Sequence, residues 1–283
     1  MTTKTQLVED HYSQNTDTEW QRLEKHRTEF AVTLRTLESF LPSPPCSVLD
    51  IGGGPGRYAI ELAARGYTVT LVDLAAGCLE FAQQKAADAG VQLHDAVQAN
   101  AMNLDAFGDD GYDAVLLLGP LYHLLTRSER QRADQEAVRV LKPGGCLFAA
   151  FVTRFAPFRY AAKAEPLLVV NDPQYVRQLL ETGVHDQGTG FPQAYFAHPD
   201  EITPLMERCG LRTLLKVGVE GVVSGVEEAV NELHGEAWQA WVELNYRFGQ
   251  EPSLYGASEH LLYVGEKPDN WSSQDFGSRR LQE

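Results

Sequence analysis

The chain has no uninterrupted apolar run of about 18 residues, no C-x-x-C pair, and few bases for its acids. It carries 24 Lys and Arg against 39 Asp and Glu, a net charge of −15. Each shortage excludes something. Without a long apolar run, no membrane-spanning helix is expected. The opening MTTKTQLVED lacks the apolar core of a secretory signal. The four cysteines, Cys46, Cys78, Cys146 and Cys209, lie in or beside apolar runs without metal-ligand spacing. They read as reduced packing residues of a cytoplasmic protein, and no metal is expected. The acid excess repels nucleic acid phosphates and anionic membranes, so neither is expected as a partner. No repeat period or low-complexity segment stands out. Within these exclusions, 283 residues at 43% hydrophobic content hold one large α/β domain or two small ones.

The densest information lies between Val48 and Asp73. An apolar run (Val48, Leu49, Ile51) meets the glycine-rich turn Gly52-Gly53-Gly54-Pro55-Gly56. A helical pattern follows (Tyr58, Ile60, Leu62, Ala63), then a second apolar run, Tyr67 to Val72, ending on Asp73. The order is strand, glycine turn, helix, strand, with a carboxylate at the second strand's tip. Such a turn lets a ligand approach backbone near a helix N-terminus. An acid at the next strand's end can accept hydrogen bonds from a ribose diol. A dinucleotide fingerprint needs G-x-G-x-x-G. Counted from Gly52 and Gly54, its third glycine falls on Arg57. The pattern present is acid-x-G-x-G-x-G: Asp50, Gly52, Gly54, Gly56.

Residues 1–40 read as helical. Trp20, Leu23, Arg27, Phe30, Leu34 and Leu37 fall in three- and four-residue steps on one face, with Asp17 or Thr18 as a cap. Pro42, Pro44 and Pro45 end this segment. Helix is then expected over Ala75–Ala89, strand over Val91–Val97 and Tyr112–Leu118, helix over Arg127–Leu141, and strand over Cys146–Val152. This alternation implies a parallel sheet covered by helices on both faces. Residues 154–198 show no clean strand-helix unit but carry Phe155, Phe158, Tyr160, Tyr175, Phe191, Tyr195 and Phe196. A helix over Asp200–Cys209, a strand over Leu211–Val219, a helical stretch near 226–248 with Trp238 and Trp241, and a last strand over Ser258–Glu266 complete the pattern. The expected division is an N-terminal helical lid (1–45), a ligand-binding domain (46–267) with insertions near 154–198 and 226–250, and a polar, disordered tail (268–283).

The acidic glycine turn resembles motif I of the class I S-adenosylmethionine (SAM) dependent methyltransferases, and Asp73 resembles their motif II acid. Tyr112-Asp113-Ala114-Val115 resembles the start of motif IV. Leu141-Lys142-Pro143-Gly144-Gly145 matches the turn before the family's fifth strand, and Gly119-Pro120-Leu121-Tyr122-His123-Leu124 is similar to a stretch of its small-molecule members. The resemblance covers most of residues 46–153 and, more weakly, 201–266. It implies an α/β, Rossmann-like, seven-stranded mostly parallel sheet whose last strand is antiparallel, SAM as cofactor, and a small-molecule acceptor. It further implies a SAM site of Asp50, Gly52, Gly53, Gly54, Gly56, Arg57, Asp73, Leu74, Leu118 and Gly119, with the glycine turn under the amino-acid part and Asp73 on the ribose. Many members carry an acid after the third strand. Here that region is Gln98-Ala99-Asn100-Ala101-Met102, where Asn100 can accept from the adenine amino group and Ala101 and Met102 can contact its face. His11 and Tyr12 belong to the segment expected to close over the cofactor.

Methyl transfer from a sulfonium is an in-line displacement in which the cofactor supplies the reactive group. The protein positions the acceptor, excludes water and, where needed, removes a proton. His123, just past the fourth strand, is the candidate base. Tyr122 lines the site beside it. Arg154 and Arg159 are candidates for a substrate carboxylate. The aromatics of 154–198 and 238–255 are candidate pocket walls. His94, His185, His198, His234 and His260 lack metal-ligand spacing and take surface or packing roles. The expected reaction is methyl transfer to oxygen or nitrogen of a small metabolite. Two alternatives stay open: aminopropyl transfer, whose enzymes use a similar glycine turn but with an acid where this chain has Pro55, and SAM binding without catalysis.

Overall fold

A computed structural model describes residues 4–186 and 193–271. The N-terminal segment forms three helices, α1 (Lys4–Gln14), α2 (Thr16–Lys25) and α3 (Arg27–Phe40). Strand β1 (Ser47–Ile51), helix α4 (Arg57–Ala64), β2 (Thr68–Asp73), α5 (Ala76–Asp88) and β3 (Asp95–Gln98) follow. Next come β4 (Tyr112–Leu117), α6 (Arg127–Val140) and β5 (Leu141–Val152). Helices α7 (Ala156–Ala164), α8 (Leu168–Asn171) and α9 (Pro173–Thr182) lead to a short hairpin, β6 (Val184–His185) and β7 (Ala194–Tyr195). The chain closes with α10 (Pro199–Arg208), β8 (Arg212–Gly218), α11 (Glu228–Asn231), α12 (Gly235–Phe248) and β9 (His260–Glu266).

Seven strands form one sheet in the order β3-β2-β1-β4-β5-β9-β8. The first five run parallel, and β9 lies antiparallel to both β5 and β8. Alternation along each strand sends side chains to opposite faces. On one face Leu49, Ile51, Val115, Leu117, Leu147 and Phe151 pack with α6 and α10 through Ala133, Ala137, Ile202 and Met206. On the other, Val48, Val69, Leu71, Leu116 and Phe148 pack with α3, α4 and α5 through Val32, Leu37, Leu62 and Ala82. Both layers are apolar, and each fully buried Leu or Val contributes about 1.5–3 kcal/mol of transfer free energy. No helix among the described residues is long and apolar enough to cross a membrane.

Local chemistry sets several element ends. A capping box of Thr126 and Glu129 starts α6. In the stretch from 154 to 198, three helices and a hairpin stand where no unit was expected. Asp172 caps α9 by accepting from the Tyr175 N–H, Pro173 sits at its first position, and Gly183 ends it at φ +71°. Those three residues were the available signal. Phe191 lies outside the described residues.

The N-terminal expectation needs correction. The single helix over 1–40 is broken at Asn15 and again at His26, which has non-helical angles and turns its Nδ1 to Glu227 Oε1 at 2.6 Å. Asn15, not Asp17 or Thr18, precedes α2, and its side chain donates to the His11 carbonyl instead of capping. Helix α3 is core and not lid, because Val32 and Leu37 are fully buried against the sheet. The expected helix near 226–248 is two helices, parted before Gly235.

The tail begins in the fold as well. Residues 268–271 form a turn in which the Trp271 indole N–H donates to the Cys209 carbonyl at 3.2 Å. The Trp271 ring packs under the ammonium of Lys267 at 4.0 Å. The rest of the expected tail, 272–283, lies outside the described residues. Lys267 has no exposed surface. It donates to the carbonyls of Val138 and Leu141 at 2.8 and 2.6 Å and to Asp110 Oδ1 at 2.7 Å. A cation thus closes the carboxyl end of α6, where the helix dipole favours it. Lys267→Met is expected to cost about 1–3 kcal/mol, because carbonyls that lose their donor stay buried. Urea denaturation checks this, and an unchanged midpoint would remove Lys267 from that role.

Candidate functional site

The carboxyl ends of the parallel strands open on a cavity roofed by α1 and α2. Fifteen of the expected residues line it: Tyr12, Asp50, Gly52, Gly53, Gly54, Arg57, Asp73, Leu74, Asn100, Ala101, Met102, Leu118, Gly119, Tyr122 and His123. Gly56 does not. It opens α4 at φ +81°, and a Cβ there would meet Ala82 at 2.9 Å, so it is needed for the turn and for helix packing.

The glycine turn is shaped by backbone demands. Gly52 (φ +66°) and Gly54 (φ +55°) take left-handed angles that side chains resist. A Cβ on Gly52 would strike Pro120 at 2.5 Å, whereas one on Gly54 would meet nothing within 4 Å. Gly54 therefore presents bare backbone to open cavity. Its N–H donates to Asp73 Oδ2 at 2.8 Å, while Ala75 N–H donates to Oδ1 at 2.8 Å. Asp73 is thereby pinned at the end of β2 with lone pairs to spare. Burial raises its pKa, and these backbone bonds partly offset the rise. Asp50 lies fully buried at the cavity wall, and neither carboxylate oxygen has a hydrogen-bond partner among the described residues. Burial, with Asp73 nearby, pushes its pKa up to about 7. Glu19, Asp50, Asp73 and Glu129 line the cavity against Arg22 and Arg57. An excess of acid and an orphaned buried carboxyl suit a ligand that is cationic and donates hydrogen bonds, as SAM is through its sulfonium and ammonium. Asn100 spends its side-chain oxygen on the Met102 N–H at 2.9 Å.

His123 is not a free base. Its Nδ1 stands 3.1 Å from the Gln193 carbonyl, so the ring hydrogen sits there, and Nε2 accepts from the Tyr12 hydroxyl at 2.7 Å. Burial pulls its pKa down to about 4, against a small rise from the Gln193 bond. The pair is a latch between α1 and the segment after β4. The expected aromatic walls and arginines are also elsewhere. Tyr12, Tyr58 and Tyr122 supply the cavity's aromatic surface, whereas Tyr160 is 63% exposed. Arg154 donates to Glu201 Oε1 at 2.8 Å and Arg159 to the Ser224 carbonyl, so both brace the structure.

Sequence reasoning missed a second chamber. It shares Arg22, Tyr58, Leu118 and Tyr122 with the first cavity, and Glu29 and His260 line it too. Arg22 pairs with Glu29 at 2.7 and 3.0 Å. His260 Nδ1 lies 2.5 Å from Glu220 Oε1 and 3.9 Å from Glu29 Oε2. Burial raises the Glu29 pKa, but Arg22 and His260 outweigh it and hold Glu29 at about 2. Burial lowers that of His260, but Glu29 and Glu220 outweigh it and raise it to about 9. Among the described residues, Glu29, Glu220 and His260 are the one grouping of His, Cys and acid donors close enough to hold a cation. The ring of His260 and the guanidinium of Arg22 already supply the positive charge. The available signal was that an antiparallel last strand begins where the parallel strands end, which puts His260 beside Val152.

Residues 48–145 match the family described as "Methyltransferase domain". The chain is 31% identical over 185 residues to the ubiquinone biosynthesis O-methyltransferase of Dinoroseobacter shibae, covering 65% of this chain and 67% of that one. It is 29% identical over 189 residues to the enzyme of the same name from Coxiella burnetii, covering 66% and 73%. A solved SAM-dependent methyltransferase from Methanosarcina mazei shares the fold at a TM-score of 0.56, with 21% identity over 82% of this chain and 97% of that one.

Two outcomes are expected. Asp73→Asn keeps the shape of the side chain but loses its charge, so affinity for S-adenosylhomocysteine, measured by calorimetry, falls about tenfold or more, the worth of a charge-assisted hydrogen bond. Wild-type affinity in the folded variant would take Asp73 out of the site. The second outcome concerns pH. A histidine raised to about 9 stabilises the fold fully below its unfolded pKa of about 6.5, and that share is lost as pH rises through 9. The stability gap between wild type and His260→Asn should therefore shrink from pH 6.5 to 9, and a constant gap in urea titrations would contradict the charge cluster.

Proposed function

The chain belongs to the class I SAM-dependent methyltransferases, and from that membership we propose that it carries a methyl group to an oxygen of a small-molecule acceptor in the cavity beneath α1 and α2. The observation that carries this reading is the cavity itself: bare Gly54 backbone, pinned Asp73 and orphaned Asp50 on one wall, with a polar chamber opening behind Arg22. The choice of oxygen over nitrogen is supported by the relatives, which are named as O-methyltransferases.

SAM, when bound, supplies an electrophilic methyl on a positively charged sulfur. Gly52, Gly53 and Gly54 would hold its amino-acid part, Asp73 and Leu74 its ribose, and Asn100, Ala101 and Met102 its adenine, with Asp50, Arg57, Leu118 and Gly119 completing the wall. The acidic lining favours the cationic cofactor over its neutral-sulfur product, which assists exchange after turnover. The rest is positioning. Holding reactants aligned in a closed site can account for roughly 7–11 kcal/mol of barrier. Here α1 and α2 act as the lid that excludes water. Tyr12, bonded to His123, fastens α1 over the cavity, and Tyr122 lines the acceptor's side. His123 then serves the closed state, as the anchor of Tyr12, and does not take the acceptor's proton.

With methyl-labelled SAM and paired hydroxyl and amine acceptors of similar size, label is expected on oxygen; label only on nitrogen overturns the choice of acceptor atom. Amide exchange across residues 4–25 is expected to slow when S-adenosylhomocysteine is added, and to slow less in Tyr12→Phe. Unchanged exchange there, with protection confined to the glycine turn, would make α1 and α2 a fixed roof.

A further inference from the structure

Two histidines stand near the reaction cavity, and their hydrogen bonds differ in kind. Both ring nitrogens of His123 are engaged, one by the Gln193 carbonyl and one by the Tyr12 hydroxyl. His260 is engaged on one side only. Its Nδ1 meets Glu220 Oε1 at 2.5 Å. The other oxygen of Glu220 accepts from the Ser258 hydroxyl at 2.6 Å and from the backbone N–H of His260 at 2.9 Å. The carboxylate is thus immobilised, and it keeps the ring hydrogen on Nδ1. Nε2 has no hydrogen-bond partner among the described residues. The ring lines the chamber that shares Arg22, Tyr58, Leu118 and Tyr122 with the main cavity. The pairing of Val152 with His260 puts it at the edge of the sheet where the parallel strands end, which is where ligands bind in such sheets.

We infer that His260 is a catalytic residue of the methyl transfer, its Nε2 receiving the proton of an acidic hydroxyl, a phenol or enol, on the acceptor, with Glu220 as the positioning residue that aims the ring. The inference rests on the reading that SAM and an oxygen acceptor meet in this cavity. In the step, the acceptor's O–H bond breaks and its proton goes to Nε2. The oxygen forms a bond to the methyl carbon while the carbon–sulfur bond breaks, and that electron pair returns to sulfur. The positive charge passes from sulfonium to imidazolium, so atoms and charge balance.

The class of acceptor follows from proton affinity. The groups facing His260 are Glu220, Glu259, Glu29, Arg22, Tyr58 and Tyr122. Their balance raises the ring to about 9, within about a unit of a phenol such as tyrosine. Proton transfer between the two is nearly level, whereas an unactivated alcohol is far out of reach. The productive complex holds one proton between ring and acceptor. Turnover should accordingly climb from neutral pH toward 9 and fall once the free acceptor ionises.

The test uses 4-nitrocatechol, whose absorbance reports its ionisation, with the full-length protein saturated with S-adenosylhomocysteine. Wild type is expected to bind the probe as the phenolate at pH values where the free probe is still neutral. His260→Asn should lose that spectral shift and at least tenfold in probe affinity, and in the SAM-loaded enzyme it should lower kcat for a phenolic acceptor about 10²-fold. Glu220→Gln keeps a partner for Ser258 but removes the charge. It should move the rising limb of the pH–rate profile toward neutrality and leave the alkaline fall in place, which a purely structural role would not do. Calorimetry with S-adenosylhomocysteine reports folding and the cofactor site in each variant. If wild type fails to bind S-adenosylhomocysteine, the cofactor reading falls, and this inference with it. If all variants bind it and His260→Asn keeps the wild-type spectrum and pH profile, or if wild type binds no phenol, the assignment of His260 alone is overturned.

Discussion

Three largely buried charges and the half-buried arginine that joins them constrain this structure more than any apolar contact. Arg22, Glu29, His260 and Glu220 alternate in sign along one line from the cavity to the base of β9. Moving any one of them out of water alone would cost several kcal/mol, and removal of a partner leaves that cost uncompensated. The four come from α2, α3, the turn after β8, and β9, so the line closes only when the N-terminal helices and the C-terminal strand have both docked. The cluster therefore couples the roof to the sheet. It spans the point where α2 and α3 part at His26. Arg22 and Glu29 pair in bidentate fashion across that break.

Within this frame the two buried histidines receive opposite treatment. His123 is surrounded by apolar wall and neutral partners, so burial dominates and the ring is neutral. His260 sits between two carboxylates, so charge dominates and the ring holds its proton. Position past a strand end identified the first as chemically interesting, but the environment differs from that expectation. The second lies hundreds of positions from the acids' partner Arg22 in the chain, and nothing in its immediate neighbours announces it.

That contrast marks what the sequence discloses. Elements whose determinants are local were legible. The glycine turn with Asp50 and the strand-helix order from Val48 to Val152 follow from short-range pattern, and the cavity positions from Gly52 to His123 follow from the family resemblance that those motifs carry. Residues whose role depends on what the fold brings opposite them were not. Arg154 and Arg159 read as candidate ligand arginines and prove to be braces, because Glu201 and the Ser224 carbonyl are contributed from far along the chain. The aromatic insertion reads as a pocket wall, yet the tyrosines at the cavity come from α1, α4 and the turn after β4. The breaks at Asn15 and His26 carry no proline or glycine, so tertiary docking overrode an amphipathic stripe. Asp172, Pro173 and Gly183 are the exception, a local signal present but unread.

The closure of α6 by Lys267 bears on where this protein can be cut. A boundary drawn by strand count would fall at Glu266, one residue short of the ammonium that holds Val138 and Leu141. A boundary at Lys267 itself would strip away the Trp271 ring that covers it. At the other end, excision at the first strand would remove α3 and bare the part of one sheet face that Val32 and Leu37 cover. A fragment begun at α3 would also lose Arg22 and leave Glu29 without its bidentate partner. An affinity tag or fusion partner joined before Trp271 would compete for space with a buried cation.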